Sequence, residues 1–382
     1  MKDKRISQSG ITLIALIITI IVMLILVAVT VKISIDSGLF GHAKNATQSW
    51  ADMEGKESNI GNKPVTIDGV TYNSMDEYVA SLPQKTETPE TPTKPDRTGL
   101  SVGDYVDYTP DKADNYMGLG TSTSEKAGSP SNLSGGIPQD KNLKWRILSI
   151  NESGTVDIIS DTPTATAVYL QGSIGYNNGV YLLNDLCASL YSNSTLGVKA
   201  RSINLMDIEN KLSDAGKNAR DTYTTSKGIP YGNTQTYTGT VRTPDIYKQV
   251  GKTIEEESKD YYKEPTILTH TRESSLDVKQ TMYRFSNTQA SYFVDETFYN
   301  LVFGTGKYSW VATRYAECDT DSAFFGLYYL DGKHLNGYYL LHSSYDSAQF
   351  TNLAVRPIVT LGADIQISAE GGTADNPRTL GK

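Results

Sequence analysis

Hydrophobic and polar positions are interspersed along most of this chain, but one segment near its start is apolar without interruption. Residues 11–31 contain no charged side chain, and threonine is their only polar residue type. A helix of this length spans about 31 Å, close to the ~30 Å hydrocarbon core of a bilayer. The pattern therefore predicts a transmembrane helix over residues 11–31.

The ten residues before this segment indicate its orientation. Lys2, Lys4 and Arg5 outnumber Asp3, and basic flanks stay in the cytoplasm. A secretory signal would be shorter and would end at a small-residue cleavage motif, which does not follow here. We therefore expect a single-pass protein of the cell membrane, with a cytoplasmic N-terminus and an extracellular C-terminal head.

Helical spacing continues beyond the membrane segment and predicts a stalk helix over residues 32–58. Its apolar positions, three or four residues apart, are Leu39, Ala43, Ala46, Trp50 and Met53. The run is too short for a coiled coil, so we expect an ordinary helix.

Residues 59–83 carry the signals of a small ββα module. Asp68-Gly69, between two short β-rich runs, is a two-residue hairpin signal. Ser74 followed by Glu77 forms a capping box that opens a helix.

The remaining boundaries follow from composition. Residues 84–99 are rich in Pro, Thr and charge, which predicts an extended linker. The head occupies residues 100–368, with a polar, turn-rich insertion at 213–282, and a short tail follows at 369–382.

Inside the head, apolar runs and alternating positions predict an α+β fold with a mixed or antiparallel sheet. Strands are predicted at 144–150, 156–160, 308–315, 324–330, 338–342 and 355–361. Helices are predicted at 178–193 and 205–212, and Asn204 caps the second of them.

Charge and aromatic content narrow the function. The net charge is −8 and no basic stripe follows the first five residues, which excludes a nucleic-acid partner. Tyrosine is abundant, at 25 against 8 Phe and 3 Trp. Tyrosine suits binding surfaces because it orders at little entropic cost, but strands also favour it, so both interpretations stand.

The sequence carries no catalytic or metal-binding motif. Its four histidines lack metal-ligand spacing, no GxSxG elbow occurs, and the GTGK run at 304–307 is an incomplete P-loop. We therefore expect no enzyme activity, cofactor or metal, and we interpret the three glutamates at 255–257 as the solvated face of a helix.

Cys187 and Cys318 are the only cysteines. An extracellular head permits a disulfide between them, and two buried free thiols are the alternative. We predict that any disulfide joins Cys187 to Cys318.

The N-terminus resembles a type IV prepilin, in which a short basic leader ends in Gly before an apolar helix. The resemblance implies that prepilin peptidase cuts between Gly10 and Ile11. Pilins that assemble carry Glu at the fifth mature position, which here is Ala15. This departure favours a plain anchor over a fibre subunit.

A second resemblance is carried by the stretches 169–184, 199–204, 310–315 and 355–361. Together they resemble a domain of unknown function on Gram-positive surface proteins, whose C-terminal half is similar to the C-type-lectin-like fold and to relatives of formylglycine-generating enzymes. The resemblance implies a mixed α/β head with short antiparallel strands. Such domains also recur as variable proteins of diversity-generating retroelements, with 310–315 and 355–361 as the fixed framework.

The segment between those framework stretches is crowded with aromatic and short polar residues. We predict a ligand-binding surface there, formed by Phe325, Tyr328, Tyr329, Tyr338, Tyr339 and Tyr345. Alternation on a strand turns one member of each adjacent pair outward. The alternative is that both members are buried, the second one under the 213–282 insertion.

These observations predict a membrane-anchored adhesin or receptor-like protein that binds an unknown extracellular protein or glycan. The alternative function is a minor pilin-like structural subunit of a pilus or secretion system.

Overall fold

The structure is a computed structural model that describes residues 65–67, 70–72, 96–112, 114–116, 136–261, 268–285, 289–344 and 350–381. It divides the chain into two compact units, Met1–Thr91 and Pro92–Lys382. The following predictions lie outside the described residues: the leader with Gly10 and Ile11, the transmembrane helix, the stalk helix and most of the linker. Across the described ranges, no helix is long and apolar enough to cross a membrane.

In the first unit, two strands are described. β1 (Val65–Ile67) pairs in antiparallel fashion with β2 (Val70–Tyr72). These are the strands expected on either side of Asp68-Gly69. The helix expected after them lies outside the described residues.

In the second unit, short strands outnumber helices. The strands are β3 (Tyr105–Val106), β4 (Asn115–Tyr116), β5 (Ile137–Pro138), β6 (Trp145–Ile150), β7 (Val156–Ser160), β8 (Val168–Gln171), β9 (Ala200–Ser202), β10 (Thr234–Pro244), β11 (His270–Lys279), β12 (Tyr308–Cys318), β13 (Ala323–Asp331), β14 (Leu335–His342), β15 (Phe350–Leu353), β16 (Pro357–Leu361), β17 (Gln366–Ile367) and β18 (Leu380–Gly381). The helices are α1 (Gly172–Tyr191), α2 (Leu205–Glu209), α3 (Asp214–Asp221), α4 (Ile254–Glu257) and α5 (Glu296–Phe303), with 3₁₀ turns at Asp245–Lys248 and Ala290–Tyr292.

Two sheets organise this unit. One has five strands in the order β3-β6-β7-β16-β9, and the other has three in the order β12-β13-β14. All the named strands pair in antiparallel fashion. The fold has few helices and many short antiparallel strands, which confirms the prediction of an α+β head with short antiparallel strands.

Two hydrophobic cores share these sheets, one on each face. Ile147 belongs to the first core and its neighbour Leu148 to the second, and Leu327 and Tyr328 divide in the same way. Successive strand residues face opposite sides, so a strand buried on both faces must be apolar throughout. Both cores lie entirely within the second unit. This unit therefore has the hydrophobic cores that folding without the first unit requires.

Helix α1 begins at Gly172, earlier than the predicted start at 178, and two of its glycines let strands β13 and β14 approach it closely. A Cβ atom at Gly179 would lie 2.8 Å from Leu327 Cδ2, and one at Gly175 would lie 3.2 Å from Leu340 Cδ1. Glycine disfavours helix by ~1 kcal/mol, and the close packing outweighs this cost. The next helix, α2, has the predicted cap, since Asn204 accepts a hydrogen bond from the Asp207 amide.

The segment predicted as an insertion, 213–282, contributes to the first core. Its main element is the antiparallel pair β10 and β11. Tyr247 and Val278 are fully buried in the first core, although the segment is mostly polar. In β10 and β11, exposed and half-buried positions outnumber the buried ones, so the sequence pattern of the segment is polar.

The two ends of the head are bound to each other. Arg97, in the last residues of the predicted linker, donates a hydrogen bond of 2.9 Å to the Ile365 carbonyl. Arg378, in the predicted tail, is 5 % exposed and donates to the Asp104 carboxylate at 2.8 Å and to the Gly99 carbonyl at 2.6 Å. The C-terminal residues are thus an integral part of the head.

Candidate functional site

A row of aromatic rings passes around the edge of the three-stranded sheet, where β14 is the last strand. We call this row the aromatic strip; its members are Tyr308, Phe324, Tyr329, Tyr338, Tyr339 and His342. Tyr308 and Tyr339 are exposed over 56 % and 39 % of their surfaces, and the other four are half-buried. A contiguous set of large, partly exposed rings is a common mark of a binding surface.

The first half of the strip crosses all three strands. Tyr308 stacks on Tyr329 with ring centroids 6.2 Å apart. Tyr329 meets Tyr338 edge-on at 6.4 Å, and Tyr338 stacks on Tyr339 at 6.3 Å. Each ring therefore touches the next.

The second half lies on the other face of the sheet. Phe324 contacts Tyr339 at 5.1 Å and His342 at 4.5 Å, both edge-on. Alternation separates Tyr338 from Tyr339 across the sheet, and because they lie on an edge strand their rings still stack. The strip therefore covers both sides of the β14 edge.

Two of the predicted ligand-binding residues, Phe325 and Tyr328, are buried, and for them the prediction was wrong. Phe325 is 0 % exposed and packs edge-on against Tyr176 and Tyr247 in the first core. Tyr328 is 1 % exposed in the second core, and its hydroxyl donates to the Thr281 carbonyl at 2.8 Å. Both faces of β13 are covered at these positions, so neither ring can reach a ligand.

The other predicted residues have different outcomes. Tyr329, Tyr338 and Tyr339 come together in the aromatic strip, whereas Tyr345 lies outside the described residues. The prediction missed Tyr308, which faces Asp331 across the β12–β13 pair. The sequence does not show how β12 pairs with β13, and only this register brings Tyr308 next to Tyr329.

Acidic side chains lie at the two ends of the strip. Burial lowers the pKa of His342, while Asp321 and Asp319 act in the opposite direction. At the other end, burial raises the pKa of Tyr329, and nearby Asp331 adds to the effect. Asp331 also lies 2.7 Å from His334. The strip thus offers flat apolar faces between carboxylates, an arrangement suited to holding a ligand by stacking and hydrogen bonding.

In the part of the chain that the structure describes, no three His, Cys, Asp or Glu side chains are grouped so that they could hold a metal ion.

The structure has no disulfide between Cys187 and Cys318, the one pairing that the sequence allows. Cys187 and Cys318 are both free and buried. Cys187 lies within α1, close enough to Arg201 for that charge to affect its pKa. Cys318 ends β12 and contacts the Val278 carbonyl at 3.2 Å. The two thiols thus have separate surroundings, and the alternative of two buried free thiols applies.

Glu257, expected on a solvated helix face, is instead 1 % exposed. Neither of its carboxylate oxygens has a hydrogen-bond partner among the described residues, and the same holds for the buried Tyr176 hydroxyl. Burial raises the pKa of Glu257 to about 7, although Arg314 and Lys252 act to lower it. Glu257 is therefore close to its titration point at neutral pH.

Comparisons with known proteins find no relative of this chain. No protein-family model matches the chain, and no curated protein or solved structure matches it. The resemblances to prepilins and to the C-type-lectin-like fold therefore stay predictions.

Proposed function

We propose that this chain is a membrane-anchored surface protein that binds an extracellular protein or glycan through the aromatic strip. The observation that carries the proposal is the continuity of the strip, in which rings from three strands touch one another around the edge strand β14. Rigid aromatic side chains give large contact area at low entropic cost. The apolar segment 11–31 supplies the anchor, and prepilin peptidase processes the leader.

No catalytic step is part of this proposal. The acidic and histidine side chains described beside the strip interact with neighbouring groups, as Asp331 does with His334. A pilus or secretion subunit stays the alternative, and Ala15 argues against it.

The test uses residues 92–382, which contain both cores. Binding of this fragment to Gram-positive cell walls and to a glycan array is measured for the natural sequence, for Tyr308→Ala/Tyr339→Ala and for Tyr261→Ala. Tyr261 is a matched control because it is 37 % exposed and lies beyond α4, outside the strip. We expect the double variant to lose binding at least ~10-fold and the control to keep it. Equal binding by all three proteins would refute the proposal.

A further inference from the structure

Two carboxylates lie beside one end of the aromatic strip, in the turn that joins β12 to β13. The Asp319 amide donates to the Ser322 carbonyl at 2.8 Å, which closes the turn. Asp319 is half-buried and Asp321 is exposed. Both lie close enough to His342 for their charges to act on its pKa. The His342 end of the strip is therefore the end next to these two acids.

The charges of these two aspartates are not balanced by a described ion pair. A third acid nearby, Glu317, differs in this respect, because Arg284 pairs with it at 2.9 Å. Asp319 accepts the Thr320 amide at 2.7 Å, a neutral group, and within the described ranges neither Asp319 nor Asp321 pairs with a Lys, Arg or His side chain. Two negative charges thus stay without a paired cation at this end.

The strand register places aromatic rings beside the acids. Glu317 lies opposite Phe324 across β12 and β13, and Phe324 lies opposite His342 across β13 and β14. Directly opposed side chains share one face of a sheet. The Phe324 ring meets Tyr339 at 62° and His342 at 90°, and Tyr339 is 39 % exposed. An exposed ring and uncompensated carboxylates therefore lie at the same end of the strip.

This combination favours a positively charged group. The face of a tyrosine ring attracts a cation, and so does an unpaired carboxylate. Arginine suits both features, because its planar guanidinium stacks on aromatic rings and donates to carboxylates through a fixed fork of N–H groups. A neutral sugar would leave the two charges unbalanced, and an anionic polymer would be repelled by them.

We propose that the ligand of the aromatic strip is a protein that places an arginine side chain at the His342 end. Its guanidinium stacks on Tyr339, and Asp319 and Asp321 balance its charge. This inference rests on the proposed function, because it takes the strip to be the binding surface.

The probe is the capped tripeptide acetyl-Gly-Arg-Gly-amide, and its matched control has citrulline, a neutral isostere, in place of arginine. Binding is followed by ¹H–¹³C NMR of the imidazole signals in residues 92–382, which contain His270, His334 and His342. His334 lies beside Asp331, at the other end of the strip, and His270 lies 3.3 Å from the Ser173 hydroxyl. At millimolar concentration, the arginine peptide should shift the His342 signal alone. The citrulline peptide should shift none of the three.

A matched pair of variants tests the two aspartates. Asp319→Asn/Asp321→Asn removes both charges with little change of shape and should weaken the arginine response at least ~10-fold. Glu255→Gln/Asp260→Asn removes two exposed charges on and after α4 and should leave it unchanged. Unshifted His270 and His334 signals would show that both variants are folded. The inference is overturned if the arginine peptide does not shift His342, if citrulline shifts it equally, or if the two variants behave alike.

The Asn variant is also compared with Tyr308→Ala/Tyr339→Ala in the cell-wall and glycan-array test. Arginine recognition predicts that both variants lose cell-wall binding and that neither binds the array differently from the natural sequence. If only the Tyr variant loses binding, the strip binds a ligand without a cation. That result would overturn the inference and leave the proposed function in place. If neither variant loses binding, the proposed function itself is refuted.

Discussion

Glu257 and Arg314 are buried near each other, but Arg314 directs its hydrogen bonds elsewhere. The Arg314 guanidinium donates to the backbone carbonyls of Tyr176, Asn177 and Lys259, at 2.8, 2.6 and 3.0 Å. The positive charge acts on Glu257 through space and lowers its pKa, but burial outweighs it. The buried surroundings therefore disfavour the charged form of Glu257.

The first prediction is a stability that depends on pH through Glu257. Its folded-state pKa is about 7, raised from 4.5, so the folded state keeps a proton that the unfolded state releases. The stabilisation is fully present below pH 4.5 and is lost as pH rises through 7, with a change of roughly 3 kcal/mol. Lys252 and Glu256 also act on this group.

Chemical denaturation of residues 92–382 between pH 4 and 8 measures this change. Glu257→Gln should remove the Glu257 part of the slope and be the more stable protein at pH 8. Parallel pH profiles for the two proteins would contradict the prediction.

The second prediction separates strip residues from core residues. Tyr339→Ala should lower the free energy of unfolding by only ~1 kcal/mol, because the ring is 39 % exposed and loses its contacts with Phe324 and Tyr338. Phe325→Ala, at a fully buried position, should cost ~3–5 kcal/mol through the cavity it leaves. Urea unfolding of both variants measures the difference, and a similar loss in both would mean that Tyr339 is a core residue.

The third prediction concerns the thiols. Mass spectrometry of unreduced, denatured protein should find two alkylated cysteines and no peptide linking Cys187 to Cys318. In the folded protein, labelling at pH 8 should be slow, since burial raises the pKa of Cys187 and raises that of Cys318 to about 11. A peptide that links Cys187 to Cys318 in the unreduced digest would contradict this prediction.

The fourth prediction concerns processing. The mature membrane form should begin at Ile11, because the basic leader ends at Gly10 before an apolar segment. Mass spectrometry of the N-terminal peptide checks this directly. A mature chain that begins at Met1 would indicate an uncleaved signal anchor.

Strands were the most predictable part of the head. The run predicted at 144–150 is β6 (Trp145–Ile150), and the run predicted at 156–160 is β7 (Val156–Ser160). Alternating or continuous apolar positions determine such elements locally. Helix α1 was harder because glycine has low helix propensity, and the reason for its glycines is their contact with Leu327 and Leu340, residues far away in the sequence.

The binding surface was only partly predictable, for a different reason. Period-two alternation shows that Tyr328 and Tyr329 face opposite ways, but it does not show which face another layer covers. Here both faces of β13 are covered at Phe325 and Tyr328. Tyr329, near the end of the same strand, is half-buried, and Tyr339 is exposed on the edge strand β14. The burial of Glu257 is likewise invisible in a run of three glutamates, because it depends on how α4 packs on β12.

The bonds between the two ends of the head matter for mechanical load. Under the proposed function, a bound ligand would pull on the linker, and this tension would enter the head at Arg97. Arg97 is bound to the Ile365 carbonyl, and the adjoining residues are held by Arg378 through Asp104 and Gly99. These contacts would share the load where it enters, and the C-terminal residues would then resist the separation of β3 from the sheet.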